Sequence, residues 1–414
     1  MVKTKKLRIA VWHNLPSGGA KRALWDHVTG LLARGHAVES WCPDTADKKY
    51  LPLSELCPEH VIPLSPLSSP RSLPLLGWLQ DYRRMVAEIA AYREHAQAVA
   101  ARINAGGFDV LFANTCFRLT VPALGRYVKL PKVMCLAEPF RRNYETIEEL
   151  PWVAPAPAAD GISPGLARLT INSLKLQYRR VQMREEQDNA RHYDRILVNS
   201  FYSRESVLRA YGLESEVCYL GIDTDHFQPV PGPREKYFMG FGAVDIQKGV
   251  GRAIEALGRV RPELRPKLLW VGNNANRDYV ARVTRRAQEL GVDFEVRVMV
   301  PDAELKNLLG RAAAVIYTSW LEPFGLAPLE ANACGTPVIA LAEGGVRETI
   351  IDGENGLCLP DAQPARMAAV VERFLTEPGL AERLTTQARP AVLARWHKAA
   401  AAERLEYALQ STLS

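Results

Sequence analysis

At residues 321–345 the chain reads LEPFGLAPLEANACGTPVIALAEGG. Two glutamates, Glu322 and Glu330, stand eight residues apart around Pro323, Gly325 and Pro328, and a short apolar run and a glycine pair follow. The preceding AAVIYTS is β-rich and ends near Ser319, and from Ala327 onward the pattern is helical, with Pro328 tolerated in the first turn. The stretch therefore predicts strand, tight loop and helix start. The N–H groups of Phe324, Gly325 and Leu326 would emerge from the helix N-terminus, where the helix dipole suits phosphate or diphosphate. Gly325 lets a ligand approach the backbone closely. Glu330, about one turn in, has the reach to accept two hydrogen bonds from a ribose diol, and Glu322 faces whatever lies beyond the phosphates. The spacing alone fits equally a favourable first-turn charge at Glu330 and a solvated loop residue at Glu322.

The same alternation extends in both directions. KLRIAVWH, a glycine loop and GAKRALWDHVTGLLARG precede AVESWCP, and DVLFANT, KVMCLAE and DRILVNS follow. The rhythm restarts after Asp223 with KYFMGFGAV, VGRAIEALGRVRP, KLLWVGN, a helix from about Val280 to Leu290, EVRVMV, AAVIYTS and PVIALA. Short β-rich runs separated by helical periodicity predict parallel βαβ units. With 414 residues, the chain is too long for one core, and two doubly wound α/β domains account for it. Pro229, Pro231, Gly232 and Pro233 mark the hinge. The expected division is residues 1–222, residues 223–390, and a long terminal helix over residues 391–414.

An insertion at about residues 145–190 breaks the pattern. Within it Ile171, Leu174, Tyr178 and Val181 recur at helical spacing beside Arg168, Lys175, Arg179 and Arg184. Such a helix lies on a membrane or packs on its own domain, and packing is favoured.

Composition is that of a globular protein, with 47% apolar and 24% charged residues. No apolar run approaches the roughly 20 residues of a membrane span. The start, MVKTKKLRIAVWHN, reads as a buried strand and not a secretory signal, so a cytoplasmic location is expected. The seven cysteines are odd in number and scattered, which favours reduced core thiols over disulfides or zinc. Net charge is +6, and residues 1–222 hold 29 Lys and Arg against 22 Asp and Glu. That excess suits phosphate groups or peripheral contact with an anionic membrane, or is an uneven solvated surface. No nucleic-acid partner is expected.

Three further loops share the strand-to-helix setting. In GFGAVDIQKGVG, the pair Gly240 and Gly242 lacks the third glycine of a dinucleotide fingerprint, but Lys248 is placed to neutralise a phosphate. In PSGGAKR, Gly18 and Gly19 permit a tight turn near a ligand or simply turn the chain. In AEGGVRETI, Glu343, Gly344 and Gly345 would close the same crevice, and Glu348 caps the next helix. Four such loops on two domains imply a ligand held between them.

EPFGLAPLE is similar to the E-x7-E signature of retaining glycosyltransferases of family 4. The resemblance continues in SFYSRESVLRAYGLESEVCYLGIDTDHFQP, the KG at Lys248, LLWVGN, VPDAELKNLLGRAAAVIYTSWLEPFG, GTPVIALAEGG and DGENGLCLP. It is continuous over about residues 194–360, includes SGGAKR and RGHAVE, and is loose over about residues 42–191. It implies the GT-B fold, two Rossmann-like domains facing across a cleft, with the last helix returning to the first domain. It implies retaining sugar transfer from a nucleotide-sugar donor to a polysaccharide, lipid-linked or small-molecule acceptor, with no metal and no cofactor. By position, Glu330 would bind ribose, Phe324, Gly325 and Leu326 the diphosphate, Glu322 the donor sugar and Lys248 the leaving group. Val300 would lie near the base, and Gly18 and Gly19 beneath the donor-acceptor junction. Two positions depart from the family pattern. Ala243 replaces an arginine, and Ala137 or Glu138 stands where a histidine is usual. Glu138 is the acceptor-side candidate, with Arg141, Arg142 or Arg204 as substitute cations. A nucleotide-sugar epimerase or hydrolase, and a degenerate sugar-nucleotide-binding protein, are the alternatives on this fold.

Overall fold

The computed structural model describes residues 5–65, 77–145 and 176–413. Arg168, Ile171, Leu174 and Lys175 of the basic stripe lie outside them. The chain divides into two compact units. The first comprises Met1–Val198, Arg204–Cys218 and Leu405–Ser414, and the second Asn199–Ser203 and Tyr219–Arg404.

The first unit is built on seven parallel strands in the order β3-β2-β1-β4-β5-β6-β7. These are β1 (Arg8–Asn14), β2 (Ala37–Cys42), β3 (Glu59–Val61), β4 (Val110–Cys116), β5 (Lys132–Cys135), β6 (Arg195–Val198) and β7 (Glu216–Val217). Because side chains alternate along a strand, each strand feeds two cores. Ala10 and Trp12 join Leu111, Met134 and Ile103 on one face. Ile9 and Val11 join Phe112, Val28, Leu405 and Leu409 on the other. Tyr178 and Val181, the described apolar members of the stripe, pack against the first of these cores.

The second unit holds six parallel strands in the order β10-β9-β8-β11-β12-β13. They are β8 (Glu235–Phe241), β9 (Lys267–Gly272), β10 (Phe294–Val298), β11 (Ala312–Tyr317), β12 (Val338–Leu341) and β13 (Gly356–Leu359). Phe238, Trp270, Ile316, Ile339 and Leu357 form a core with Ile254, Leu257, Met367 and Phe374 from the helices. Strand order reverses between β8 and β11, and at such a switch point the loops after the strands diverge and leave a crevice at the carboxyl edge.

The terminal stretch differs from the single helix expected. Helices Leu380–Arg395 and Lys398–Ser411 are separated at Trp396 and His397. The reason is backbone pairing: Ile222 donates to the Trp396 carbonyl at 2.6 Å, and Lys398 donates back to Ile222 at 3.0 Å. A helical backbone has no carbonyl to spare for such an exchange. The Lys398 ammonium adds an ion pair of 2.7 Å with Asp223.

Candidate functional site

Lys248 follows β8 and Glu322 follows β11, so they approach from the two sides of the switch point. Their side chains meet: Lys248 Nζ lies 2.6 Å from Glu322 Oε2. The same oxygen accepts from Ser319 Oγ at 2.7 Å. Burial opposes charge on Lys248, but the Glu322 carboxylate outweighs it and raises the ammonium above its ordinary lysine range. The turn carrying Lys248 is set by Asp245, whose carboxylate accepts the Lys248 N–H at 2.8 Å.

Three residues beyond Glu322, Gly325 takes a left-handed conformation (φ 93) and caps the helix Leu326–Ala333. A side chain there would be strained, and its Cβ would press on Val346 Cγ2 at 3.1 Å. The first N–H groups of this helix have no carbonyl within it to pair with. Phe324 is buried against Trp396 and Tyr219, with ring centroids at 5.5 and 6.2 Å, so its side chain anchors the loop and only its backbone is left to serve a ligand. Glu330 is buried, 4% exposed, on the same helix. That is an unusual place for a carboxylate retained only for solvation.

The loop after β12 is laid directly on this one. Gly345 N–H donates to the Glu322 carbonyl at 2.7 Å. A Cβ at Gly344 would sit 2.3 Å from that carbonyl oxygen, and one at Gly345 would sit 2.0 Å from the Pro323 oxygen. The sequence predicts that Glu348 caps the next helix, Val346–Thr349. Instead it accepts from the N–H groups of Phe201 and Tyr202 at 3.0 and 3.1 Å, and from Tyr219 OH at 2.9 Å. It caps a helix start some 146 residues away in the chain, which no local pattern reveals.

Val300, beyond β10, is half-buried next to the exposed Met299. Arg252 escaped the sequence reading: its Nε donates to the Thr318 carbonyl at 3.1 Å and its guanidinium lies 5.2 Å from the Trp320 ring centroid. It stands in the first turn of the helix Val250–Leu257, which opens just after Lys248 and Gly249, and that placement is the signal that could have found it.

Gly18, Gly19 and Glu138 belong to the first unit. Gly18 caps the helix Gly19–Ala33. Glu138 pairs with Arg141 at 3.1 Å, and Arg141 also holds Glu145 at 2.8 Å. Arg204 pairs with Glu214 at 3.1 Å. Two of the three substitute cations are thus engaged by carboxylates.

Beneath the Gly18 loop lies a buried cluster that sequence reading missed. His13, Cys42 and Glu59 bring their ligand atoms within 4.8 Å of one another, a set that would suit a metal. Lys21 already supplies the cation: its Nζ is 3.4 Å from His13 Nε2, which lies 3.2 Å from Glu59. Burial, reinforced by Glu59, pushes the Cys42 thiol up to about 12, so without a metal this thiol stays protonated at neutral pH. The imidazole of His13 thus links the Lys21 ammonium to the Glu59 carboxylate.

Residues 221–390 match the family model for glycosyl transferases group 1. That part of the chain is related to glycosyl transferases group 1. Over 239 residues the chain is 30% identical to a D-inositol 3-phosphate glycosyltransferase of Streptomyces bingchenggensis, covering 52% of each protein. Over 208 residues it is 31% identical to a glycogen synthase of Mycobacterium tuberculosis, covering 48% of this chain and 50% of that one. The chain thus spans about half the length of the curated relatives it matches. Solved structures align over nearly the whole chain. HepE of Anabaena, in complex with UDP and glucose, superposes with a TM-score of 0.67 at 19% identity, covering 98% of this chain and all of that one. Sucrose-phosphate synthase of Thermosynechococcus elongatus gives 0.68 at 19% identity, covering 98% and 99%. The chain has the fold of these solved structures, two Rossmann-like α/β domains, the GT-B class.

Proposed function

We propose that the protein is a retaining, metal-independent glycosyltransferase (EC 2.4) that moves a sugar from a nucleoside-diphosphate sugar to a polysaccharide, lipid-linked or small-molecule acceptor. One observation carries the reading: the Lys248–Glu322 pair straddles the switch point of the second sheet, beside a glycine-capped helix start. That arrangement suits a diphosphate with a polyhydroxylated group attached. In this reading Lys248 and the N–H groups of Phe324, Gly325 and Leu326 hold the diphosphate, Glu322 the sugar, Glu330 the ribose, and Val300 borders the base. Gly18 and Gly19 serve the donor-acceptor junction and Glu138 the acceptor. As the sugar's C1–O bond breaks, charge grows on the departing diphosphate, so a fixed ammonium and fixed amides favour the transition state over the bound donor. A cytoplasmic, membrane-peripheral location rests on the excess of Lys and Arg in residues 1–222; no described helix is long and apolar enough to cross a membrane.

A thermal-shift screen of UDP-, GDP-, ADP- and dTDP-sugars tests the reading, because a ligand at 100 times its Kd stabilises by about 2.7 kcal/mol. A donor hit is then offered acceptors. Donor consumption without any acceptor would establish an epimerase or hydrolase. Binding with no transfer, and no effect of Lys248→Ala on any activity, would establish a sugar-nucleotide-binding protein, the outcome that Ala243 and the absent histidine would then explain.

A further inference from the structure

We infer that Glu343 is a specificity-determining residue whose carboxylate accepts a hydrogen bond from a hydroxyl of the donor's sugar; this rests on the donor reading proposed above. Glu343 is the second residue after β12, the strand beside β11 at the carboxyl edge of the sheet. Its own N–H donates to the Leu341 carbonyl at 2.8 Å. The next two residues, Gly344 and Gly345, lie in backbone contact with Glu322 and Pro323. The backbone of Glu343 is therefore held next to the turn that presents Glu322.

The carboxylate oxygen Oε2 of Glu343 is buried and has no hydrogen-bond partner among the described residues. Glu322 differs: its Oε2 already takes the Lys248 ammonium and the Ser319 hydroxyl. A buried carboxylate oxygen without a donor is unfavourable, so its hydrogen comes from outside the described side chains, from water, an ion or a ligand. A sugar hydroxyl beside Glu322 has that hydrogen, and a charged acceptor makes the stronger bond. Discrimination follows, because a sugar lacking that hydroxyl would leave the carboxylate oxygen unpaired again.

Isothermal titration of UDP, UDP-glucose, GDP and GDP-mannose into wild type, Glu343→Gln and Glu343→Ala tests this, with the ligand-free Tm of each variant confirming its fold. For whichever base binds wild type, Glu343→Ala is expected to lose about tenfold or more in affinity for the sugar nucleotide while nucleoside diphosphate affinity stays within about twofold. Glu343→Gln, which keeps an acceptor oxygen without the charge, is expected to fall between. Unchanged sugar-nucleotide affinity in both variants would overturn the inference. Equal loss for diphosphate and sugar nucleotide would also overturn it, since Glu343 would then act by shaping its loop. If wild type bound none of these four probes and no ADP- or dTDP-sugar either, the donor reading would fail and this inference with it.

Discussion

Lys248→Ala removes the cation from a pair held at 2.6 Å, with the lysine side chain 28% and the glutamate side chain 17% exposed. Breaking a fully buried pair from one side costs about 3–5 kcal/mol, and an exposed one about 0–1 kcal/mol. At this exposure, with Ser319 still donating to Glu322, a loss of roughly 1–2 kcal/mol in stability is expected. In a chain of this length that lowers Tm by only a few degrees. The effect on turnover should be larger. A preorganised donor on the group that gains charge is worth about 3 kcal/mol, or on the order of a hundredfold in kcat. The diphosphate is charged before reaction as well, so donor affinity also falls, but by less. Initial rates at saturating donor, measured well below the variant's Tm, separate turnover from stability, and titration with the nucleoside diphosphate gives the ground-state part. A folded Lys248→Ala variant that kept more than about a fifth of wild-type kcat would refute the assignment of Lys248 to the leaving group.

Glu330→Ala should weaken sugar-nucleotide binding by about tenfold with little change for the 2′,3′-dideoxy analogue. Equal losses for both ligands in a titration would reject the ribose assignment. Glu348→Ala should cost about 1–2 kcal/mol of stability by uncapping the helix that starts at Phe201, without altering donor affinity; urea unfolding and titration together check it. Burial pushes the Glu186 carboxyl up to about 7 from 4.5, against hydrogen bonds from Gln182 and Tyr211. The folded state holds this proton more tightly than the unfolded chain. Its stabilising contribution is thus complete below about pH 4.5 and lost as pH rises through about 7, a fall of roughly 3 kcal/mol. Glu186→Gln should flatten the stability profile over that window, and a profile of unchanged slope in urea denaturation would count against the shift.

The strands of the second unit were legible because a parallel sheet covered on both faces needs continuous apolar runs. KLLWVG is β9 residue for residue, and AAVIYTS begins inside β11. The loop and helix start around Gly325 were legible because a glycine and a first-turn proline serve few other settings. What stayed hidden depends on distant partners. Nothing local pairs Lys248 with Glu322, 74 residues away, or sends Glu348 to the N–H groups of Phe201 and Tyr202. The cluster of His13, Lys21, Cys42 and Glu59 was equally invisible, because its members come from a helix and three strands. Helix Gly77–Ala105 went unread inside the stretch where the resemblance was loose.

Three close backbone approaches join the loops after β8, β11 and β12. A Cβ at Gly249 would lie 2.1 Å from the Thr318 carbonyl oxygen, as those at Gly344 and Gly345 would strike the carbonyls of Glu322 and Pro323. For an engineer who would redesign the proposed donor site, these three loops are one cassette. Exchanging any one of them with a relative's sequence breaks a seam that tolerates no added methyl group, whereas transplanting residues 242–249, 318–325 and 342–345 together keeps every seam matched. The same seams should make single insertions in any of the three more damaging than in an open surface loop, and should make beneficial changes in one loop depend on which residues stand in the other two.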